Sequence, residues 1–381
     1  MLTEEVEGAR LRSVPGAPEG ILRELETWLR MVVERNASDL HLKVGVPPKI
    51  RDTGVLAPIP GSAELRPEHT AAIAEAIVPD DRMARLREAG EVDFAYSVPG
   101  VGRFRVNAFR QRGSISLVLR KLRFGGPSFA EAHLPEVIRA LADEPRGLVL
   151  VTGPTGSGKT TTLAAMIEHL NHTRPCHIVT IEDPIEVLFD DDVASIDQRE
   201  VGTDTESFLS ALRAALRQDP DVILIGEMRD TETVRAALQA AETGHLVLST
   251  LHTVDATETV NRVIDVFPAH QQGQIRLTLA GALRGIICQR LVPAVAGGLL
   301  PAHEILVNTG RIAERIVDPE RTAEIHDVIA EGGYYGMMTF DQCLLGLVRA
   351  GAVRVEDALA ASSNPHDLQL QLQQAGIPPP G

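Results

Sequence analysis

Between residues 147 and 251, short apolar runs alternate with longer stretches of helical period. The runs are "GLVLVTG", "HIVTI", "DVILIGE" and "HLVLSTL". Each is apolar at consecutive positions, the pattern of strands buried on both faces, and helices between such strands imply a mostly parallel sheet covered on both sides. The first intervening helix is "TTTLAAMIEHLN". The next presents Phe208, Leu209, Leu212 and Leu216 on one face, with Thr203 and Glu206 as a capping box and "QDP" as its stop. Another starts near Asp230 and closes at Gly244. From residue 255 to about 360 the pattern reads as helical, and the end, "QQAGIPPPG", reads as a loose tail.

The front of the chain follows a different rule. "ILRELETWLRMVVER" places Ile21, Leu22, Leu25, Leu29 and Val32 near helical spacing, whereas "ASDLHLKVG" and "PKIRDTGVL" read as strands, the latter broken at Thr53-Gly54. "GRFRVNAFRQRGSISLVLRKL" contains two alternating runs joined at Gln111-Arg112-Gly113, a hairpin. That order implies a small α+β domain. The expected organisation is therefore a flexible leader over 1–20, the small domain over 21–122, and a hinge over 123–135 that opens with "RFGGPS". An α/β domain with a helical C-terminal part covers 136–362, and a tail covers 363–381.

Composition narrows the function. Aromatic residues make up 3% and the net charge is −15, which argues against stacking platforms for single strands and against a chain-wide nucleic-acid footprint. The three cysteines, Cys176, Cys288 and Cys343, are far apart, as suits a reducing compartment, and form no CxxC pair for structural zinc. The acidic opening "MLTEEVEGAR" is unlike a secretory signal. No run reaches the roughly 18 apolar residues of a membrane span; "LAGALRGIICQRLVPAVAGGLL" is interrupted by Arg284, Arg290 and Pro293. These features predict a cytoplasmic protein that meets a membrane only through a partner.

The chemistry begins at "GPTGSGKT", which satisfies G-x-x-x-x-G-K-[ST] and lies between a strand and a helix. Glycines let backbone N–H groups wrap phosphates, and the helix N-terminus adds partial positive charge. Gly153, Pro154, Thr155, Gly156, Ser157, Gly158, Lys159, Thr160 and Thr161 form the candidate ATP-binding set, with Lys159 on the outer phosphates and Thr160 on Mg²⁺. "DVILIGE" delivers Glu227 to the C-terminal edge of the sheet, where it fits a Walker B acid that holds the metal through water. "VTIEDPIE" adds Glu182, Asp183 and Glu186 beside the P-loop, where Mg²⁺ and Lys159 supply the opposing charge. A carboxylate that does not ligate metal can orient and deprotonate the attacking water, and Glu186 is the candidate base, with Glu182 second. "TGHLVLSTLHT" carries His245 and His252; seven residues apart on a strand they face opposite ways, so they share no metal, and His252 is the better placed to sense a γ-phosphate. On the small domain Arg103 and Arg105 share a strand face, Arg110 follows, and Arg120 sits on the paired strand; these are either a solvated hairpin face or arginine fingers.

Taken in order, "GPTGSGKTTTL", "TIEDPIE", "DPDVILIGEMRD" and "TGHLVLSTLHT" resemble the Walker A, Asp box, Walker B and His box of the secretion-type hexameric P-loop ATPases. "ASDLHLKVGVPPKIR" and "GRFRVNAF" resemble the N-terminal domain of the type IV pilus retraction (PilT) branch. The resemblance implies a RecA-like ATPase domain behind a PAS-like α+β domain, using ATP and Mg²⁺. It assigns catalytic roles to Glu186 and Glu227, to His245 and His252, and to Arg105 and Arg120, which complete the site from the N-terminal domain; Arg103 is the weaker match. It further implies a homohexamer that pivots about its joint, drives an inner-membrane pilus platform protein and disassembles the fibre for twitching motility, with no nucleic-acid partner. The chain departs from the branch at "GRIAERIVD", which keeps Ile312 and Ile316 of a form AIRNLIRE but not its polar residues. An accessory retraction ATPase, the same engine working in pilus assembly or type II secretion, and a non-hydrolysing ATP-binding scaffold are the alternatives. The presence of Lys159, Glu186 and Glu227 together weighs against the scaffold.

Overall fold

The computed structural model describes residues 20–377, so residues 1–19 of the expected leader and residues 378–381 of the expected tail lie outside the described residues. The chain divides into two compact units, with the boundary between Arg123 and Phe124.

The first unit runs through α1 (Ile21–Glu34), β1 (Asp39–Leu42), β2 (Lys49–Asp52), β3 (Val55–Pro58), α2 (Pro67–Ile77), α3 (Asp80–Glu88), β4 (Glu91–Val98), β5 (Gly102–Gln111) and β6 (Ser114–Lys121). Its sheet has the order β3-β2-β1-β6-β5-β4, antiparallel throughout. Two hairpins follow from turn chemistry. Thr53 and Gly54 have φ of 44° and 85°, and Arg112 and Gly113 have 50° and 80°. Both central residues in the left-handed region match the two-residue turn whose twist suits antiparallel strands. Helix α1 buries Ile21, Leu25, Trp28, Leu29 and Val32 in a core that includes Leu40, Leu117 and Leu119. The pattern between residues 59 and 98 assigned nothing, yet α2, α3 and β4 lie there.

The second unit opens with Phe124, the end of the two-residue strand β7 (Arg123–Phe124), and continues through α4 (Glu136–Ala142), β8 (Gly147–Thr152), α5 (Lys159–Thr173), β9 (His177–Glu182), β10 (Val187–Leu188), β11 (Ser195–Glu200), α6 (Phe208–Ala215), β12 (Val222–Ile225), α7 (Thr231–Glu242) and β13 (Leu246–Leu251). There follow α8 (Ala256–Asp265), α9 (Ala269–Ala282), β14 (Leu283–Pro293), β15 (Leu299–Val307), α10 (Gly310–Val317), α11 (Ile325–Glu331), α12 (Phe340–Arg349), α13 (Val355–Ala361) and α14 (Pro365–Gln374). The large sheet has the order β11-β9-β12-β13-β8-β14-β15, parallel except for the β15 edge. Every residue of β8, β12 and β13 is buried, as consecutive apolar runs require when helices cover both faces.

Three expectations are corrected. The stretch from 255 to 360 is not helical throughout, because β14 and β15 form an antiparallel pair inside it. Helix α9 passes into β14 at Leu283, between Gly281 and Gly285, and β14 pairs with β8 with a register irregularity between Leu283 and Gly285. The cap of α6 is Ser207, whose hydroxyl accepts from the Ser210 N–H, while Thr203 donates to Glu200 instead. The tail expected over 363–381 contains a capped helix: the Asn364 side chain accepts from Asp367, and Leu368 and Leu372 are buried. Proline at the first helical position starts that helix as readily as it breaks one.

Candidate active site

The parallel registers bring the motif residues to one edge. Ile225 pairs with Ile181 and with Ser249, and Ser249 pairs with Leu150. Strands β9, β12, β13 and β8 therefore end level, and Asp183, Glu227, His252 and Gly153 all lie within three residues of that line. One pocket is lined by Lys159, Thr160, Glu182, Asp183, Glu186, Glu227, Arg229 and Thr250, among others. Its position outside the carboxyl ends of the strands is where open parallel sheets hold ligands.

The loop Gly153–Gly158 needs its glycines. Gly153, Gly156 and Gly158 have φ of 141°, 81° and 92°, and Gly158 caps the N-terminus of α5. A Cβ on Gly153 would stand 2.4 Å from the Gln289 carbonyl oxygen, and one on Gly158 would stand 2.7 Å from Gln289 Nε2. Pro154, Thr155, Gly156, Thr160 and Thr161 are exposed, and Ser157 is buried. Lys159 Nζ donates to the carbonyls of Gly153 at 2.8 Å and Pro154 at 3.1 Å. Burial pulls the Lys159 ammonium below its ordinary value, and the charges of Glu227 and Glu186 partly restore it. That coupling puts both acids within electrostatic reach of the lysine.

The two acids sit in different surroundings. Glu227 Oε2 lies 2.7 Å from Arg229 Nη2, and its Oε1 lies 3.4 Å from His252 Nε2. Burial pushes the Glu227 carboxyl up, but the bond and charge of Arg229, with help from His252, outweigh it and hold the group below its usual range. It is an ionised oxygen donor. Glu186 is exposed on the pocket wall. Glu182 ends β9 and is tied down: the Thr180 hydroxyl donates to its Oε1 at 2.7 Å and the Gln198 amide at 3.3 Å. Burial dominates there and raises its carboxyl, against these bonds and one from the Glu186 N–H.

His245 is not brought to this pocket. It precedes β13 at the opposite end of the strand, where its carbonyl accepts from Gly147 and its Nδ1 lies 3.0 Å from the Ala240 carbonyl. Arg105 and Arg120 are directly opposed on β5 and β6, both solvent-exposed; Arg120 Nε donates to Asp39 at 2.8 Å and Arg105 Nε lies 4.0 Å from Asp93. Arg103 shares the Arg105 face, with Nε buried and unpartnered. Two residues were missing from the motif reading: Arg229 on the pocket wall and Gln289 against the P-loop. Arg229 follows Glu227 by two positions, but nothing in its residue type announces an acid's partner. Gln289 lies more than a hundred residues beyond the P-loop, on a strand read as helix.

Residues 19–301 match the model of the type II/IV secretion system protein family, which is well over half of the chain. The chain belongs to this family. Relatives within reach include the type IV pilus retraction ATPase PilT of Pseudomonas aeruginosa, 45% identical over 90% of this chain and 99% of its own length. The type IV pilus ATPase PilU of the same organism is 41% identical, over 92% of this chain and 91% of its own. Among solved structures, the pilus retraction motor PilT with bound ADP superposes with a TM-score of 0.82 at 43% identity, covering 91% of this chain and 97% of that one. The ATPase DotB of Legionella pneumophila gives 0.72 at 26% identity, covering 96% and 99%. Fold and membership together make the chain an ATPase of the secretion family.

Proposed function

We propose that this chain is one subunit of a hexameric ATP-hydrolysing motor that retracts type IV pili by disassembling them. The observation that carries the reading is the convergence of Lys159, Glu186 and Glu227 on one pocket beside a glycine-rich loop. The relatives named as pilus retraction ATPase and twitching motility protein support it.

The pocket's geometry supports the roles of the residues that line it. The loop N–H groups and the N-terminus of α5 bind the phosphates. Lys159 exchanges its bonds to the Gly153 and Pro154 carbonyls for bonds to phosphate oxygens. Thr160 and the ionised Glu227 are hard oxygen donors on the pocket wall, and they suit Mg²⁺, which prefers a few protein oxygens together with substrate phosphates. Bound there, the ion would neutralise charge on the outer phosphates. Glu186 accepts the proton of the attacking water, and His252 steadies Glu227. Arg105 and Arg120 neutralise charge developing on the transferred phosphoryl, supplied from the N-terminal domain within a homohexameric ring. The ring works at the cytoplasmic face of the membrane against an inner-membrane platform protein, and no described helix is long and apolar enough to cross a membrane.

A second reading, an accessory retraction ATPase, is favoured by α10. Ile312 and Ile316 are fully buried there, but the polar residues of the branch motif are replaced. One measurement tests the ATPase and a second separates the readings. Purified wild type should release phosphate from ATP as a ring and lose that activity as a monomer. A deletion strain should carry excess surface pili; bald cells would mean assembly, and unchanged piliation would mean an accessory role.

A further inference from the structure

The P-loop rests on one residue of a distant strand. Cys288 of β14 pairs with Thr152 at the end of β8, so Gln289 stands beside the first residue of the loop. Gln289 is 3% exposed. An added Cβ on Gly153 meets its carbonyl, and one on Gly158 meets its amide, so both ends of the loop press against this single residue. A third contact ties the helix itself. Thr162 lies in the first turn of α5 and is 1% exposed, and its hydroxyl donates to Gln289 Oε1 at 2.7 Å. Threonine hydroxyls inside helices commonly bond a carbonyl of the preceding turn. Here the hydroxyl leaves the helix and bonds the sheet.

We propose that Gln289 is a positioning residue for nucleotide binding: through Thr162 it holds the first turn of α5, and through contact it holds the two ends of the loop in the shape that aims N–H groups at phosphate. Preorganised donors bind an anion without paying for loop ordering at the moment of binding, which is the physical reason such a brace changes affinity and not only stability. The inference rests on the reading of the P-loop as the nucleotide site. Replacing Gln289 by leucine keeps the volume, removes the acceptor and leaves the Thr162 hydroxyl buried without a partner.

The test uses the full-length protein and a fluorescent ADP analogue. Gln289→Leu and Thr162→Val should each weaken binding about tenfold, the scale of one buried hydrogen bond. The double variant should be no weaker than the weaker single, because both substitutions remove the same bond. Thr162→Ser keeps the hydroxyl and should bind as wild type does. Thermal unfolding without nucleotide is measured alongside. Unchanged affinity with a lowered Tm would make the contact purely structural and overturn the proposal, as would multiplicative losses in the double variant. If Gln289→Leu does not fold, the Thr162→Val and Thr162→Ser pair decides alone. Failure of wild type to bind the analogue would sink the nucleotide-site reading itself, a result distinct from equal binding by all variants.

Discussion

The two glutamates that flank Asp183 offer the sharpest test of the site. Glu182 and Glu186 lie four residues apart and line the same pocket, but one is spent on structure. Glu182 accepts from Thr180 and Gln198, and burial raises its carboxyl. Glu186 is exposed at the pocket and acts on Lys159 only through charge. Glu186→Gln keeps the shape and removes the base, so turnover should fall about 10²–10⁴-fold, roughly 3–5 kcal/mol of barrier. Glu182→Gln keeps an acceptor for Thr180 and should retain most activity. Glu182→Ala strands the Thr180 hydroxyl, while the Gln198 amide keeps its bond to the Val187 carbonyl; one buried donor left without a partner costs roughly 1–3 kcal/mol, a fall in Tm of about 2–12 °C for a domain of this size. The pH dependence has a definite sign. A carboxyl raised in the folded state contributes stability below its unfolded value and loses it as the pH rises through the folded value. Glu182→Gln is neutral at all pH, so its Tm should gain on wild type as the pH rises through that range. Steady-state phosphate release and thermal unfolding on the same preparations decide the matter. If Glu182→Gln loses turnover as far as Glu186→Gln while unfolding at the wild-type temperature, Glu182 is the base and the assignment here is refuted.

Other outcomes are expected. Arg229→Gln removes the main partner holding the Glu227 carboxyl low, so the acid limb of Mg²⁺-dependent nucleotide binding should move to higher pH; an unmoved limb would show that Arg229 does not control Glu227. His252→Gln should alter nucleotide affinity more than His245→Gln, because only His252 touches Glu227; equal effects by fluorescence titration would contradict this placement. Gly126→Ala puts a Cβ 2.2 Å from the Ala164 carbonyl oxygen on α5. Such overpacking against backbone should cost about 1–3 kcal/mol, readable as a lower unfolding temperature, and an unchanged one would mean that the segment moves freely off the helix.

Much of the site was legible from the sequence because its motifs are local. "GPTGSGKT" contains in eight residues both the glycines for the loop and the lysine that follows them, and strand-then-acid runs place Glu186 and Glu227 at a sheet edge without knowledge of distant contacts. The parallel sheet was legible for the same reason: consecutive apolar residues report two covered faces. Pairing was not. Whether "LRGIICQRLVP" is helix or strand depends on β8 and β15 lying beside it, since a short apolar run has no period of its own to choose between them. The helix over 365–374 forms because Leu368 and Leu372 have a core to enter, which local pattern does not report. Orientation along a strand also belongs to the tertiary structure. His245 and His252 flank one apolar run, yet the register with β8 puts the first beside Gly147 and the second beside the phosphate loop. The sequence determined by itself which chemical groups this chain carries and the short-range geometry of each. Long-range pairing alone decided which groups meet, and so made Gln289, unremarkable in the sequence, the floor on which the nucleotide loop is set.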